Sequence, residues 1–245
     1  MKVLVCISHV PDTTTKINFT PDNKSFITQG VQFIINPYDE IALTRALELT
    51  EKSGGSVTVI NVGEIATEPT IRKALAIGAS DAVRVNAHPK EAMFVATQIA
   101  EYLKKNSFDL ILCGRESIDF NSASVPSMIA EMLNIPSVAI AKTISVENGK
   151  AVVEREIEGG KEVLECALPL VAGCSESIAV PRIPNMRGIM SARTKPLVVV
   201  EPVAADEYTK VIGYDKPAQR SSVKLVDAAE PGKLLELLHT EKKII

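Results

Sequence analysis

A chain of 245 residues, 46% of them hydrophobic, can bury one sizeable core and carry a further segment, which argues against a disordered protein. A formal net charge of −3 and a pI near 5.8 offer no general attraction for nucleic acid or an anionic membrane surface. Tryptophan is absent and aromatics make up 4%, so a base-stacking platform has little support.

The first ten residues, Met1 to Val10, hold an apolar run too short to span a membrane and show no signal-peptide cleavage pattern, so a cytoplasmic location is expected. Apolar runs then alternate with helical patterns, the signature of a parallel sheet with crossover helices. Strands are expected at Val3–Ser8, Val57–Val62, Ala82–Val85 and Leu110–Cys113, the third being short and nearer an edge. Asp39–Lys52 places Ile41, Leu43, Ala46, Leu47 and Thr50 near one helical face, with acids at its start and Gly54-Gly55 as its stop. Pro69 opens a second helix, in which Ile71, Ala74, Leu75 and Gly78 keep helical spacing; Glu91–Lys105 and Ser124–Leu133 supply two more.

After Pro136 the pattern changes. Thr143–Ile157 and Lys161–Val171 read as two antiparallel strands joined across Glu158-Gly159-Gly160, so the parallel arrangement is expected to end near residue 145. A short strand at Leu197–Val200, a mixed stretch with Pro202 and Pro217, another short strand and a helix over Pro231–Thr240 complete the chain. The expected architecture is a doubly wound α/β domain over residues 1–200, with an antiparallel hairpin and a C-terminal arm, 201–245, that packs on this domain or on a partner subunit.

Ligands of open α/β sheets bind beyond the carboxyl ends of the strands, here Cys6 to Ser8, Val62-Gly63 and Cys113-Gly114-Arg115. The stretch Gly114-Arg-Glu-Ser-Ile-Asp-Phe-Asn-Ser-Ala-Ser-Val125 is opened by glycine, rich in hydroxyls and followed by a helix start that favours phosphate. Ser122 or Ser124 can equally be a helix N-cap, with Pro126 in the first turn. Neither G-x-G-x-x-G nor a P-loop occurs, which sets aside a standard NAD pocket and an NTPase. Asn36-Pro37-Tyr38-Asp39-Glu40 is either a turn and helix start or a side wall of the same pocket. Asp81, Arg84 and Arg72 read as solvated. Spacing supports no Ser-His-Asp or Cys-His set, and Glu154, Glu156, Glu158, Glu162 and Glu165 read as a solvated strand face, so no catalytic residue is assigned.

Pro181-Arg-Ile-Pro-Asn-Met-Arg-Gly-Ile-Met-Ser-Ala-Arg-Thr-Lys-Pro196 sets cations and two methionines between prolines, which fits either an ordinary surface helix or an adaptable docking element. With Val10-Pro-Asp12, Asn36 to Glu40, Thr70 to Ala79, Gly114 to Asp119 and Val153 to Gly160, in this order and spacing, it resembles the beta subunit of electron transfer flavoproteins.

That resemblance implies an adenine nucleotide alpha hydrolase-like fold and a heterodimer with an alpha subunit that holds most of a redox-active FAD. It also implies a second nucleotide in this chain: AMP in simple carriers, a second FAD in electron-bifurcating members. The pocket residues it carries over are Cys6, Asn36, Pro37, Tyr38, Asp39, Val62 and the loop containing Gly114, Arg115, Asp119, Asn121, Ser122, Ala123, Ser124 and Val125. Where the family commonly has Gln and then Gly, this chain has Ser124 and Pro126, which removes one N–H from a phosphate site. The 174–196 region matches the family's recognition loop for acyl-CoA dehydrogenases, through Pro181, Arg182, Met186, Arg187, Ile189, Met190 and Arg193, with Met186 at the apolar anchor. Electrons would pass on to a flavoprotein-quinone oxidoreductase. The chain itself would be non-catalytic, would not sit in the membrane and would not bind nucleic acid; a stand-alone adenine-nucleotide-binding module is the rival from another class.

Overall fold

Continuous apolar strands form only where both faces of a sheet are covered, and that condition organises the chain. The computed structural model describes residues 1–219 and 222–245. The elements of its first half are β1 (Lys2–Cys6), β2 (His9–Pro11), β3 (Phe33–Ile35), α1 (Pro37–Ser53), β4 (Ser56–Val62), α2 (Glu68–Ile77), β5 (Asp81–Val85), α3 (Ala92–Lys105), β6 (Leu110–Gly114) and α4 (Val125–Leu133). Then follow β7 (Ser137–Glu147), β8 (Lys150–Ile157), β9 (Gly160–Ala167), β10 (Leu170–Cys174), α5 (Met186–Ala192), β11 (Leu197–Val200) and α6 (Pro231–Leu237).

Nine strands form one sheet in the order β11-β5-β4-β1-β6-β10-β7-β8-β9, parallel as far as β7 and antiparallel beyond it, while β2 and β3 pair separately. Alternate strand residues serve opposite cores. Val3, Val5, Val57, Val59 and Leu112 pack under α1 and α2; Leu4, Ile60, Val83 and Ile111 pack with Phe94 and Ile99 of α3 and Ile129 of α4. Each fully buried Leu or Ile contributes about 1.5–3 kcal/mol.

Local signals agree with these elements. α1 has Pro37 and Asp39 in its first turn and stops at Gly54, whose φ is +69°. The Glu91 carboxylate caps α3 by accepting from the N–H groups of Met93 and Phe94. The acidic strands pair as expected of a solvated face, with Arg155–Glu162 at 2.6 Å and Lys161–Glu154 at 3.0 Å.

Within the sheet, the second half departs from the sequence expectation in four respects. The alternation over Thr143–Ile157 is broken at Asn148-Gly149, whose φ values of +51° and +77° make a tight hairpin between β7 and β8. Lys161–Val171 is likewise two strands, because the wholly apolar Leu170–Cys174 returns to the interior between β6 and β7, parallel to both. The parallel arrangement therefore does not end near residue 145, and it also gains β11 beside β5, which puts β5 one strand in from the edge.

Beyond Val200 no strand forms among the described residues. The backbone of Val203 instead exchanges two hydrogen bonds with the Gln98 side chain, and Tyr214 stacks on Phe19 at 4.7 Å, so this stretch lies against its own domain. Further on, Val223, Leu225, Leu235, Ile244 and Ile245 are exposed. Among the described residues, no helix is long and apolar enough to cross a membrane.

Candidate functional site

β1 leads to β4 and β5 on one side, after which α3 carries the chain back to β6 on the other, so the order reverses between β1 and β6. In open sheets of this kind the ligand crevice is expected at the carboxyl ends of these two strands. The start of α1 enters it. Asp39 sits 4% exposed and uses both oxygens: Oδ2 accepts from the Ser8 N–H at 2.7 Å and Oδ1 from the Gly114 N–H at 2.8 Å. Burial outweighs these bonds and pushes the carboxyl up to about 7.

Asn36, fully buried, makes no side-chain cap to α1. It reaches the far loop instead, where Nδ2 donates to the Glu116 carbonyl at 2.8 Å and Oδ1 accepts from the Ile118 N–H at 3.2 Å. The segment is thus both the start of α1 and a wall of the crevice. Arg115 lies over the Tyr38 ring, 5.3 Å from its centre, and pairs with Glu116 at 3.1 Å. Gly114 is packed against this turn: a Cβ there would come within 2.7 Å of Tyr38 Cβ and 2.9 Å of Asp39 N. Cys6 and Cys113 lie buried on the floor, and the Cys6 contact together with burial raises the Cys113 thiol, so it stays protonated.

The loop from Gly114 to Val125 makes few side-chain bonds to the body. Asp119 Oδ1 accepts from the Phe120 N–H at 2.9 Å, and the Ser122 and Ser124 hydroxyls meet at 3.2 Å. Asn121 and Ala123 are left-handed, each with φ of +51°, an arrangement that costs an alanine about 1–2 kcal/mol. Ser124 is right-handed and precedes α4 without donating or accepting a capping bond. A left-handed residue followed by a right-handed one turns successive N–H groups to the same side, and here the concavity adjoins the positive end of α4. Pro126, in the first turn, offers no N–H. The geometry suits an anion such as phosphate, and backbone amides would be its main donors.

Val62 ends β4 at the adjoining strand tip. Behind it lies Arg84, which is buried rather than solvated: it donates to the Gly63 carbonyl at 3.0 Å and to Asn86 Oδ1 at 2.8 Å, with Glu68 3.5 Å from its Nε. A lone arginine inside a short apolar strand was the available signal for this clamp. Asp81 stays partly exposed, whereas Arg72 is turned inward and donates to the carbonyls of Ala192 and Lys195 at 2.9 and 2.7 Å.

Those bonds belong to the 181–196 segment, which is fixed to the helices beneath it. Arg182 grips Glu51 of α1 with both guanidinium nitrogens, at 2.6 and 2.8 Å. Asn185 Oδ1 caps α5 by accepting from the Gly188 N–H, and Gly188 lies directly on the Ala76 carbonyl of α2. Lys195 Nζ donates to the carbonyls of Leu75 and Ala79, and burial lowers its pKa. Of the cations expected at the surface, Lys195 is therefore directed inward and Arg182 is held at the surface by Glu51, while Pro181, Arg187, Ile189, Met190 and Arg193 remain exposed with Met186. Val180 and Ile183, at 82% and 92% exposure, extend the apolar ridge. Proline on either side of Arg182-Ile183 was the signal for the latter.

The electron transfer flavoprotein domain model matches residues 24–205. An electron transfer flavoprotein subunit beta of Thermoanaerobacterium thermosaccharolyticum is 37% identical over 198 residues, covering 80% of this chain and 76% of its own. One of Syntrophomonas wolfei is 35% identical over 94% of this chain and 92% of its own. Subunit CarD of the caffeyl-CoA reductase-Etf complex of Acetobacterium woodii is 34% identical over 81% and 78%. A family model spanning most of the sheet, with relatives this similar over most of their lengths, shows that the chain belongs to the electron transfer flavoprotein family, among its beta subunits.

Proposed function

We propose that this chain is the beta half of a heterodimeric electron carrier, whose 1–200 unit binds AMP in the β1/β6 crevice and whose 201–245 arm reaches an alpha subunit. The observation that carries the nucleotide reading is the Ala123–Ser124 backbone turn at the start of α4, in a loop whose first residues are tied to the start of α1 by Asp39 and Asn36. Cys6, Asn36 to Asp39, Val62 and Gly114 to Val125 line that site in this reading. The apolar segments of the arm, including Leu225 and Ile245, suit burial against the partner.

FAD shared with the alpha subunit would supply the redox chemistry when bound. This chain's residues bind, orient and shield. Electrons would come from flavin dehydrogenases such as acyl-CoA dehydrogenases, docking on the ridge of Val180, Ile183, Met186 and Met190, and would leave to a flavoprotein-quinone oxidoreductase. The cellular site in this reading is the cytoplasm. The similarity to CarD favours one second reading, an electron-bifurcating complex with a second FAD in place of AMP that oxidises NADH.

The deciding experiment is co-expression with the alpha subunit, followed by denaturation and a count of released nucleotides per heterodimer. One FAD with one AMP supports the simple carrier, and two FAD support bifurcation. One FAD without AMP would mean that Ser124 and Pro126 have removed the pocket's ligand. Failure to form a complex would overturn the subunit reading in favour of a stand-alone nucleotide module. For the ridge, Met186→Ala is expected to weaken dehydrogenase docking by about 1–3 kcal/mol, with flavin content at the wild-type level. Unchanged electron-transfer kinetics would remove Met186 from the docking surface.

A further inference from the structure

Three elements meet at one carboxyl group. Asp39 stands in the first turn of α1, and its two oxygens hold the N–H of Ser8, just past β1, and the N–H of Gly114, at the end of β6. Gly114 is also the first residue of the loop that ends at Ala123–Ser124, and a Cβ on it would meet Tyr38 Cβ and Asp39 N at the start of α1. We propose that Asp39 is a positioning residue for the nucleotide loop: its carboxylate pins the ends of β1 and β6 to α1, and a side chain that can hold only one of the two N–H groups weakens nucleotide binding. This rests on the crevice being the nucleotide pocket.

A carboxylate can accept from both N–H groups at once, whereas a neutral carboxyl has a proton on one oxygen, which then faces a donor and must give up that bond. Nothing charged nearby replaces it. From β6 the Cys113 thiol and from β10 the Cys174 thiol face the group, both kept protonated mainly by the Cys6 contact or by burial. Arg115 is engaged with Tyr38 and Glu116, Arg45 with Glu48, and His9 of β2 with Thr70. Of the acids in the first turn, Glu40 faces Lys73.

The test uses the complex purified with its alpha subunit and freed of AMP. Calorimetric titration with AMP at pH 8.5, where the carboxyl is ionised, should show Asp39→Asn, which can accept from only one of the two N–H groups, binding about tenfold more weakly than the wild type. Amide hydrogen exchange at Ser8 and Gly114 should lose protection in the variant without AMP, while exchange in the β8–β9 hairpin stays at the wild-type level. Wild-type affinity with wild-type protection at both amides overturns the proposal. Unprotected Ser8 and Gly114 amides in the wild type overturn it even if the variant fails to fold. Absence of AMP binding in the wild type removes the nucleotide reading instead, and exchange at the two amides still decides whether Asp39 pins the loop.

Discussion

Gly114→Ala is expected to abolish retention of the nucleotide and to lower stability by about 1–3 kcal/mol, with the larger value favoured because two of the obstructing atoms belong to a buried turn. The new Cβ would lie 2.7 Å from Tyr38 Cβ and 2.9 Å from Asp39 N, and closer still to Asp39 Oδ1. Tyr38 Cβ and Asp39 N move only with the backbone, and the Asp39 carboxylate is held at both oxygens, so the start of α1 or the end of β6 has to shift, and the Asp39–Gly114 bond is lost. Denaturant unfolding and a count of nucleotide released from the purified complex check both parts. Gly160→Ala, where nothing lies within 4 Å and φ is not left-handed, is the matched control. Wild-type stability in Gly114→Ala would show that the turn yields freely, and the crevice floor would then not be a fixed structure.

Gly188→Ala acts on the other functional surface. Its Cβ would run into the Ala76 carbonyl, a backbone atom of α2, with Ala76 C a further 3.4 Å neighbour. α5 must lift, which strains the bonds from Arg72 to Ala192 and Lys195 and those from Lys195 to the end of α2. A loss of about 1–3 kcal/mol in stability is expected. If the ridge is the proposed dehydrogenase-docking surface, the loss of electron transfer should exceed that of Met186→Ala, because the whole ridge moves. Calorimetric melting and stopped-flow reduction measure the two effects separately. A normal melting curve with normal reduction rates would mean that α5 does not need its close seat on α2.

How much of this was legible differs by region. β1, β4, β5 and β6 and the helices between them stand in the sequence as apolar runs and 3.6-residue periodicity, because covered parallel strands and amphipathic helices have strong patterns. Asn148-Gly149 is a strong turn signal, yet the alternation on either side of it continues so evenly that Thr143–Ile157 looks like one strand. β10 was hidden for another reason: its apolar run adjoins β9, and only pairing with β6 and β7 distinguishes an interior strand from the end of a hairpin. The crevice residues were legible as strand tips and as a resemblance. That Asp39 joins Ser8 to Gly114 was not, since those three positions meet only through topology. For Arg84, Arg72 and Lys195 charge is a poor sign of water, because Arg72 and Lys195 donate to backbone carbonyls and Arg84 to the Gly63 carbonyl and the Asn86 side chain, partners that the local sequence does not reveal.

α1 has one further property. Asp39 near its beginning belongs to the crevice, and Glu51 near its end holds Arg182 at the root of the apolar ridge. Twelve residues separate them, so a rise of about 1.5 Å per residue spaces the two surfaces by about 18 Å along a single rigid strut. Its length and its phase are both set. One residue inserted between them would leave every core leucine's chemistry intact but would rotate Glu51 by about 100° relative to Asp39, detaching either the ridge or the crevice from the helix. Substitutions can vary along this helix, but insertions and deletions cannot, and the spacing between the strand-tip turn at one end and the apolar ridge at the other is thereby held constant while the side chains on each are free to change.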